Sequence, residues 1–132
     1  MHLILDANST ASILKVNALS IQSAERVLVD QLSFELYAGQ TLALVGESGS
    51  GKSISALALM GLLPKALQVH GSVLLDGKNL LKLSDAQLRS IRGQKIAMVF
   101  QEPMTALNSL HRVEKIIAET LWSQGWSKKQ AR

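Results

Sequence analysis

At 132 residues the chain is long enough for one domain with a core and too short for two comfortable ones, and a hydrophobic share of 47% argues against disorder. The absence of cysteine excludes a disulfide framework, thiolate metal sites and a catalytic thiol, and fits a reducing compartment. The net charge of +4 is uneven: residues 1–64 hold three Lys/Arg against five Asp/Glu, net −2, and residues 65–132 hold eleven against five, net +6.

A basic half can mark a nucleic-acid or anionic-lipid surface. With aromatics at 4% and the basic residues scattered, a solvated basic face is the better account, and no nucleic-acid partner is expected. The N-terminal "MHLILDANST" lacks the basic start of a secretory signal, and Asp6 interrupts its apolar run. Residues 1–12 read as an N-terminal extension. "ILKVNALSI" (residues 13–21) alternates in part, like a half-buried strand. "QLSFELYAG" (31–39) alternates better, with Leu32, Phe34 and Leu36 on one face. "TLALV" (41–45) is apolar throughout, which predicts a strand buried on both faces.

After a glycine-rich octet, "KSISALALMGLL" (52–63) predicts a buried helix stopped near Gly61 and Pro64. Its apolar run falls short of the ~18 residues of a membrane span. "HGSVLLDGKNLL" (70–81) predicts a hairpin, and "LSDAQLRSIRG" (83–93) a short helix with Ser84 as N-cap and Gln87 at the capping-box position. "KIAMVFQ" (95–101) predicts a second apolar strand, ending at Gln101. "VEKIIAETLWSQGW" (113–126) predicts a helix with Trp122 and Trp126 one turn apart, and "SKKQAR" the opening of another. His2, His70 and His111 lack metal-ligand spacing and read as incidental.

The octet "GESGSGKS" (46–53) carries the chemistry. Gly46, Gly51, Lys52 and Ser53 meet G-x-x-x-x-G-K-[ST], with Glu47, Ser48, Gly49 and Ser50 between them. Glycines let the backbone take left-handed angles and approach a ligand closely. The loop N–H groups then form a nest for oxyanions, reinforced by the positive end of the following helix. Lys52 adds a full charge for the β and γ phosphates, and the Ser53 hydroxyl suits Mg²⁺, a hard ion. Gly/Ser-rich octets also occur by chance in turns, but an apolar strand before and an Ala-rich helix after favour the phosphate loop.

The loop alone does not separate ABC ATPases from kinases, helicases and GTPases. Two further features do: the wording GESGSGKS, and "LRSIRGQKIAMVFQEPMTALNSLH", in which an apolar strand delivers Gln101 followed by Glu102-Pro103. From about residue 13 onward the chain resembles the ATP-binding subunits of ABC transporters, in the branch that imports peptides, nickel and microcin C. The resemblance implies an α/β, RecA-like P-loop core over residues 13–132 as an incomplete nucleotide-binding domain. It also implies an antiparallel β subdomain near 14–36 and 70–75, and the start of a helical subdomain after Gln101. Residues 46–53 would be Walker A, binding ATP. Ser53 and Gln101 would contact Mg²⁺, Gln101 as the Q-loop glutamine. The loop at 102–110 and the helix after it would face membrane-spanning subunits, with a second nucleotide-binding domain as the other partner. The chain would then sit peripherally, through those partners, on the cytoplasmic face of a bacterial inner membrane.

One departure stands out. The family usually stacks an aromatic on adenine after its first strand, and the matching position is Ser23. Stacking contributes roughly 1–3 kcal/mol, so weaker nucleotide affinity and lower base selectivity are expected.

Hydrolysis in the family also needs an apolar strand ending in Asp-Glu, a Leu-Ser-Gly-Gly-Gln signature and a switch histidine, normally beyond the Q-loop. Two stretches imitate these. "SVLLDG" (72–77) has Gly77 where the catalytic Glu would stand, and a β-turn Asp76 is the better account. "LSDAQ" (83–87) has Asp85 and Ala86 in place of the glycines, and a capped helix start accounts for it. No complete catalytic set is therefore expected in these residues. The ATPase would be inactive alone, or the chain would be a truncated nucleotide-binding fragment. Two apolar strands lacking a neighbour predict exposed apolar surface and marginal stability.

Overall fold

The computed structural model describes residues 12–100, 110–123, 125–127 and 129–130. Two compact units divide the chain, Met1–Leu88 and Arg89–Arg132.

The first unit is built on a four-stranded antiparallel sheet in the order β2-β1-β3-β4, formed by β1 (Ser12–Gln22), β2 (Val27–Tyr37), β3 (Gln68–Leu75) and β4 (Lys78–Asn79). This is the antiparallel piece expected near residues 14–36 and 70–75. Its core comprises Leu14, Val16, Leu19 and Ile21 of β1, Val29, Leu32 and Phe34 of β2, and Val73 and Leu75 of β3.

The buried positions change parity within each of the two long strands. In β1 they run 14, 16 and then 19, 21; in β2 they run 29 and then 32, 34. A regular strand sends alternate residues to opposite faces, so the switch needs one extra residue in each strand. Ala18 and Gln31 supply it, with φ of 45° and 46°. Their N–H groups are taken by hydroxyls of the opposing strand: Ala18 donates to Ser33 Oγ at 2.8 Å, and Gln31 to Ser20 Oγ at 3.0 Å. Gly71 of β3, at φ 97°, closes against this bulge. A Cβ there would lie 2.5 Å from the Ala18 carbonyl oxygen, so only glycine fits without a shift. The partial alternation of the β1 sequence thus reflects a strand with a bulge, whose Leu14, Val16, Leu19 and Ile21 face one core.

Asp76 and Gly77, with φ of 47° and 77°, form the two-residue turn between β3 and β4. That is the geometry favoured for Asp-Gly hairpins. A single 3₁₀ turn, Leu80–Lys82, follows.

Helix α1 (Lys52–Leu59) is shorter than the expected 52–63. It ends in a Schellman arrangement: Gly61, at φ 61°, donates to the Ala58 carbonyl, and Leu62 to that of Leu57. Ser55, Ala58 and Met60 are its buried side; the rest is half-buried or exposed. Helix α2 (Asp85–Ile91) starts with the expected capping box, Ser84 N–H donating to Gln87 Oε1 at 2.9 Å and Gln87 N–H to Ser84 Oγ at 3.4 Å. The same reciprocal pair, Ser127 with Gln130, opens the C-terminal turn.

In the second unit, helix α3 (Val113–Ser123) matches the expected periodicity but not its end. Gly125, at φ 88°, reverses the chain, and the Trp126 N–H donates to the Leu121 carbonyl at 3.1 Å. Trp126 is therefore past the helix rather than one turn along it.

The strand expected over 41–45, buried on both faces, and the apolar strand expected over 95–101 are not formed as such. Residues 41–44 and 97–100 have no strand assignment. Val45 is 55% exposed and Val99 93%. An apolar segment becomes a strand by pairing, and none of the named strands takes either segment as a neighbour.

Candidate functional site

The octet is at the surface of the first unit, following residues 41–45 and leading into α1. Gly49 and Gly51 take φ of 79° and 88°, the left-handed turns the octet was expected to need. Gly51 is the N-cap of α1. It provides no side-chain cap, and no acidic residue occupies the first helical turn. The positive end of the helix is thus left for an anion from outside the chain.

Gly51 is also a packing contact. A Cβ there would come within 2.8 Å of both the Leu28 carbonyl oxygen and Val29 Cγ2. The start of β2 therefore forms a wall against the back of the loop. At Gly46, a Cβ would meet Ser50 Oγ at 2.7 Å. Close approach to backbone thus requires glycine at Gly51, whereas at Gly46 the neighbour is a serine hydroxyl that can turn away.

Lys52, the first residue of α1, turns back across the loop. Its ammonium donates to the Gly46 carbonyl at 2.7 Å, the Glu47 carbonyl at 2.6 Å and Ser50 Oγ at 3.2 Å. All three acceptors belong to the loop, so the positive charge is held over its mouth. Ser50 N–H donates to the Glu47 carbonyl at 3.2 Å, tightening the turn inside the octet. Ser48, Gly49 and Ser53 are exposed. A cavity of about 430 Å³ adjoins the loop, lined by Leu28, Val29, Asp30, Gly46, Glu47 and Ser50.

The loop thus brings an ammonium and a helix N-terminus without a side-chain cap together at the surface, two features that attract an anion. The Ser53 hydroxyl is accessible and suits Mg²⁺ as a single oxygen ligand. Among the described residues no group of three or more His, Asp or Glu could hold a metal alone. Gln101 and the loop at 102–109 lie outside the described residues. Leu110, which closes that loop, is 90% exposed.

Ser23, the position matched to the adenine-stacking aromatic, is part of the short connection between β1 and β2. Its hydroxyl accepts from the N–H groups of Glu25 at 3.3 Å and Arg26 at 3.2 Å, and its own N–H donates to the Arg26 carbonyl at 2.9 Å. The side chain is committed to the turn. Of the histidines, His70 pairs in register with Ser20, and His111 lies 3.4 Å from Lys115 Nζ.

Sequence reasoning missed Leu28, Val29 and Asp30 as site residues. No local spacing relates them to the octet; the fold of β2 against Gly51 brings them there. Another unforeseen feature is Ser55, 1% exposed, whose hydroxyl has no hydrogen-bond partner among the described residues.

A glycine-rich loop leading into a helix, beside an antiparallel sheet, is an arrangement found in part of a nucleotide-binding domain. Residues 29–132 match the family described as ABC transporter, and the chain belongs to it. It is 47% identical over 119 residues to the peptidoglycan transport ATP-binding protein YejF of Agrobacterium fabrum, covering 86% of this chain and 22% of that protein. It is 47% identical over 104 residues to the oligopeptide transport ATP-binding protein OppD of Haemophilus influenzae, covering 78% and 32%. Against the dipeptide transport ATP-binding protein DppD of Bacillus subtilis it is 48% identical over 104 residues, covering 76% and 31%. The chain thus spans about a fifth to a third of the length of these curated relatives. A solved ATP-binding subunit of an ABC transporter superposes with a TM-score of 0.59 at 20% identity, over 89% of this chain and 45% of that one. That likeness shows the fold, which is part of an ABC nucleotide-binding domain. No helix among the described residues is long and apolar enough to cross a membrane.

Proposed function

We propose that this chain is the phosphate-binding portion of an ATP-binding subunit of a bacterial peptide-type importer, with residues 1–12 as an extension and 13–132 as a partial nucleotide-binding domain. The observation that carries the reading is the Lys52 ammonium held over a glycine loop at an uncapped helix N-terminus. Gly46, Glu47, Ser48, Gly49, Ser50, Gly51 and Lys52 would hold the phosphates of ATP. Ser53, with Gln101, would hold Mg²⁺, which when bound neutralises phosphate charge. The relatives are transport ATP-binding proteins, which supports membrane-spanning subunits and a second nucleotide-binding domain as partners, at the cytoplasmic face of the inner membrane.

A fluorescent ATP analogue titrated into the chain tests the reading. Lys52→Ala is expected to abolish saturable binding, and undiminished binding by that variant refutes the assignment. These 132 residues contain no apolar strand ending in Asp-Glu after Gln101 and no Leu-Ser-Gly-Gly-Gln. Phosphate release by the chain alone is accordingly expected to stay at background.

A further inference from the structure

Gly51 joins the loop to α1. It is the N-cap, with φ 88° and ψ 2°, and its carbonyl accepts the first hydrogen bond of the helix, from the Ser55 N–H at 2.8 Å. The next residue, Lys52, sends its ammonium back to the Gly46 and Glu47 carbonyls. The direction of that ammonium therefore follows from where Gly51 sits and which angles it keeps.

A glycine does not hold a left-handed angle by itself. It populates positive and negative φ about as readily, so its surroundings must fix the choice. At Gly51 the near neighbours are the Leu28 carbonyl oxygen and Val29 Cγ2, each 2.8 Å from where a Cβ would stand. The carbonyl is backbone, and every substitution keeps it. The methyl belongs to a side chain that is 6% exposed and pairs in register with the fully buried Ile21 of β1. Val29 thus rests on the sheet core, and close packing there leaves it little room to retreat from Gly51.

Resting on the nucleotide-binding reading above, we infer that Val29 is a positioning residue for the phosphate loop. Its methyl braces Gly51, and through Gly51 it aims the Lys52 ammonium. A valine that only fills the core contributes stability alone; a brace contributes ligand affinity as well.

The test is titration of the fluorescent ATP analogue, with Mg²⁺ present, into the full chain and three variants, with the stability of each measured by urea unfolding. Val29→Ala removes the methyl and leaves a gap against Gly51. Val73→Ala makes the same truncation at a fully buried valine of β3, which is separated from β2 by β1. Both are expected to lower stability, as core truncations do. Only Val29→Ala is expected to weaken the analogue, by about fivefold or more, since small displacements of a positioned group are costly. Val29→Thr refills the space but buries a hydroxyl. It is expected to bring affinity back to within about twofold of the unaltered chain while stability stays reduced, a split that a merely structural role does not produce.

Equal affinity in Val29→Ala and Val73→Ala overturns the inference and leaves the nucleotide-binding reading standing. A Val29→Thr affinity that falls along with its stability does the same. Absence of saturable binding by the unaltered chain removes that reading and the inference with it. A further measurement needs no variant to fold. In the unaltered chain the analogue is expected to slow amide exchange at Leu28, Val29 and Asp30 more than at Ser72, Val73 and Leu74, because a brace and the loop it holds stabilise each other. Equal slowing in the two strands overturns the proposal.

Discussion

Val73 of β3 and Val99 of the segment after α2 are the same residue in similar apolar runs, "SVLL" and "IAMVF", yet the first is fully buried and the second is 93% exposed. Val73 pairs in register with Val16 of β1, itself 1% exposed. Val99 belongs to no named strand. The contrast teaches that an apolar run specifies the wish for a neighbour, and that the ladder partner decides whether a strand forms.

Substitutions can break or sharpen that contrast. The largest effect is expected at Leu19, fully buried and in register with Leu32. Leu19→Ala should lower unfolding free energy by about 2–5 kcal/mol in a urea titration. Gly71→Ala forces a Cβ against the Ala18 carbonyl at a positive φ and should cost on the order of 3 kcal/mol. Little change there would show that the β1–β3 bulge contact does not require glycine at position 71. Ser20→Ala removes the acceptor for the Gln31 N–H and should cost about 1 kcal/mol, with Ser20→Thr restoring most of it. Val99→Ala, by contrast, should stay within about 0.5 kcal/mol, because the side chain is already in water. A cost comparable with that of Leu19→Ala would show that residues 95–100 are packed after all.

The smallest expected effect is a pH response on the exposed face of the sheet. Lys15 of β1 and Glu35 of β2 are in register, with Nζ and Oε1 2.5 Å apart, and Tyr37 joins through its hydroxyl. The hydrogen bond from Lys15, then that from Tyr37, holds the Glu35 carboxyl below the ordinary carboxylate range. The hydrogen bond to Glu35 likewise raises Lys15 and Tyr37. A depressed carboxylate contributes stability above its unfolded value and loses it as pH falls through the folded one. A raised Lys or Tyr contributes below its unfolded value and loses it as pH rises through the folded one. Midpoint temperature should therefore dip slightly on both the acid and the alkaline side, and Glu35→Gln should flatten both dips. Because these groups are exposed and screened, the dips should be small.

Local chemistry made much of the protein legible. The capping box at Ser84 and Gln87, the Asp76-Gly77 turn, the helix over 113–123 and the phosphate-loop octet depend on residues within a few positions of one another. Their hydrogen bonds or backbone angles are set by side-chain type at fixed offsets. The helix ends at Gly61 and Gly125 are legible in the same way, once a glycine at C′ is given more weight than the apolar residues that follow it.

The long-range choices were not legible. Spacing in β1 shows an alternation that fails at Ala18, and only the opposing bulge at Gln31, with Ser20 and Ser33 catching the freed N–H groups, turns that failure into one continuous core. The octet by itself determined the glycine turns and the lysine at a helix start that make up the proposed phosphate grip. Which wall stands behind the grip was decided by the tertiary structure, since β2 is some twenty residues away in sequence and reaches Gly51 only through the sheet. The same physics left residues 41–44 and 97–100 without a ladder: hydrophobicity is a property of a segment, and strand pairing is a property of two.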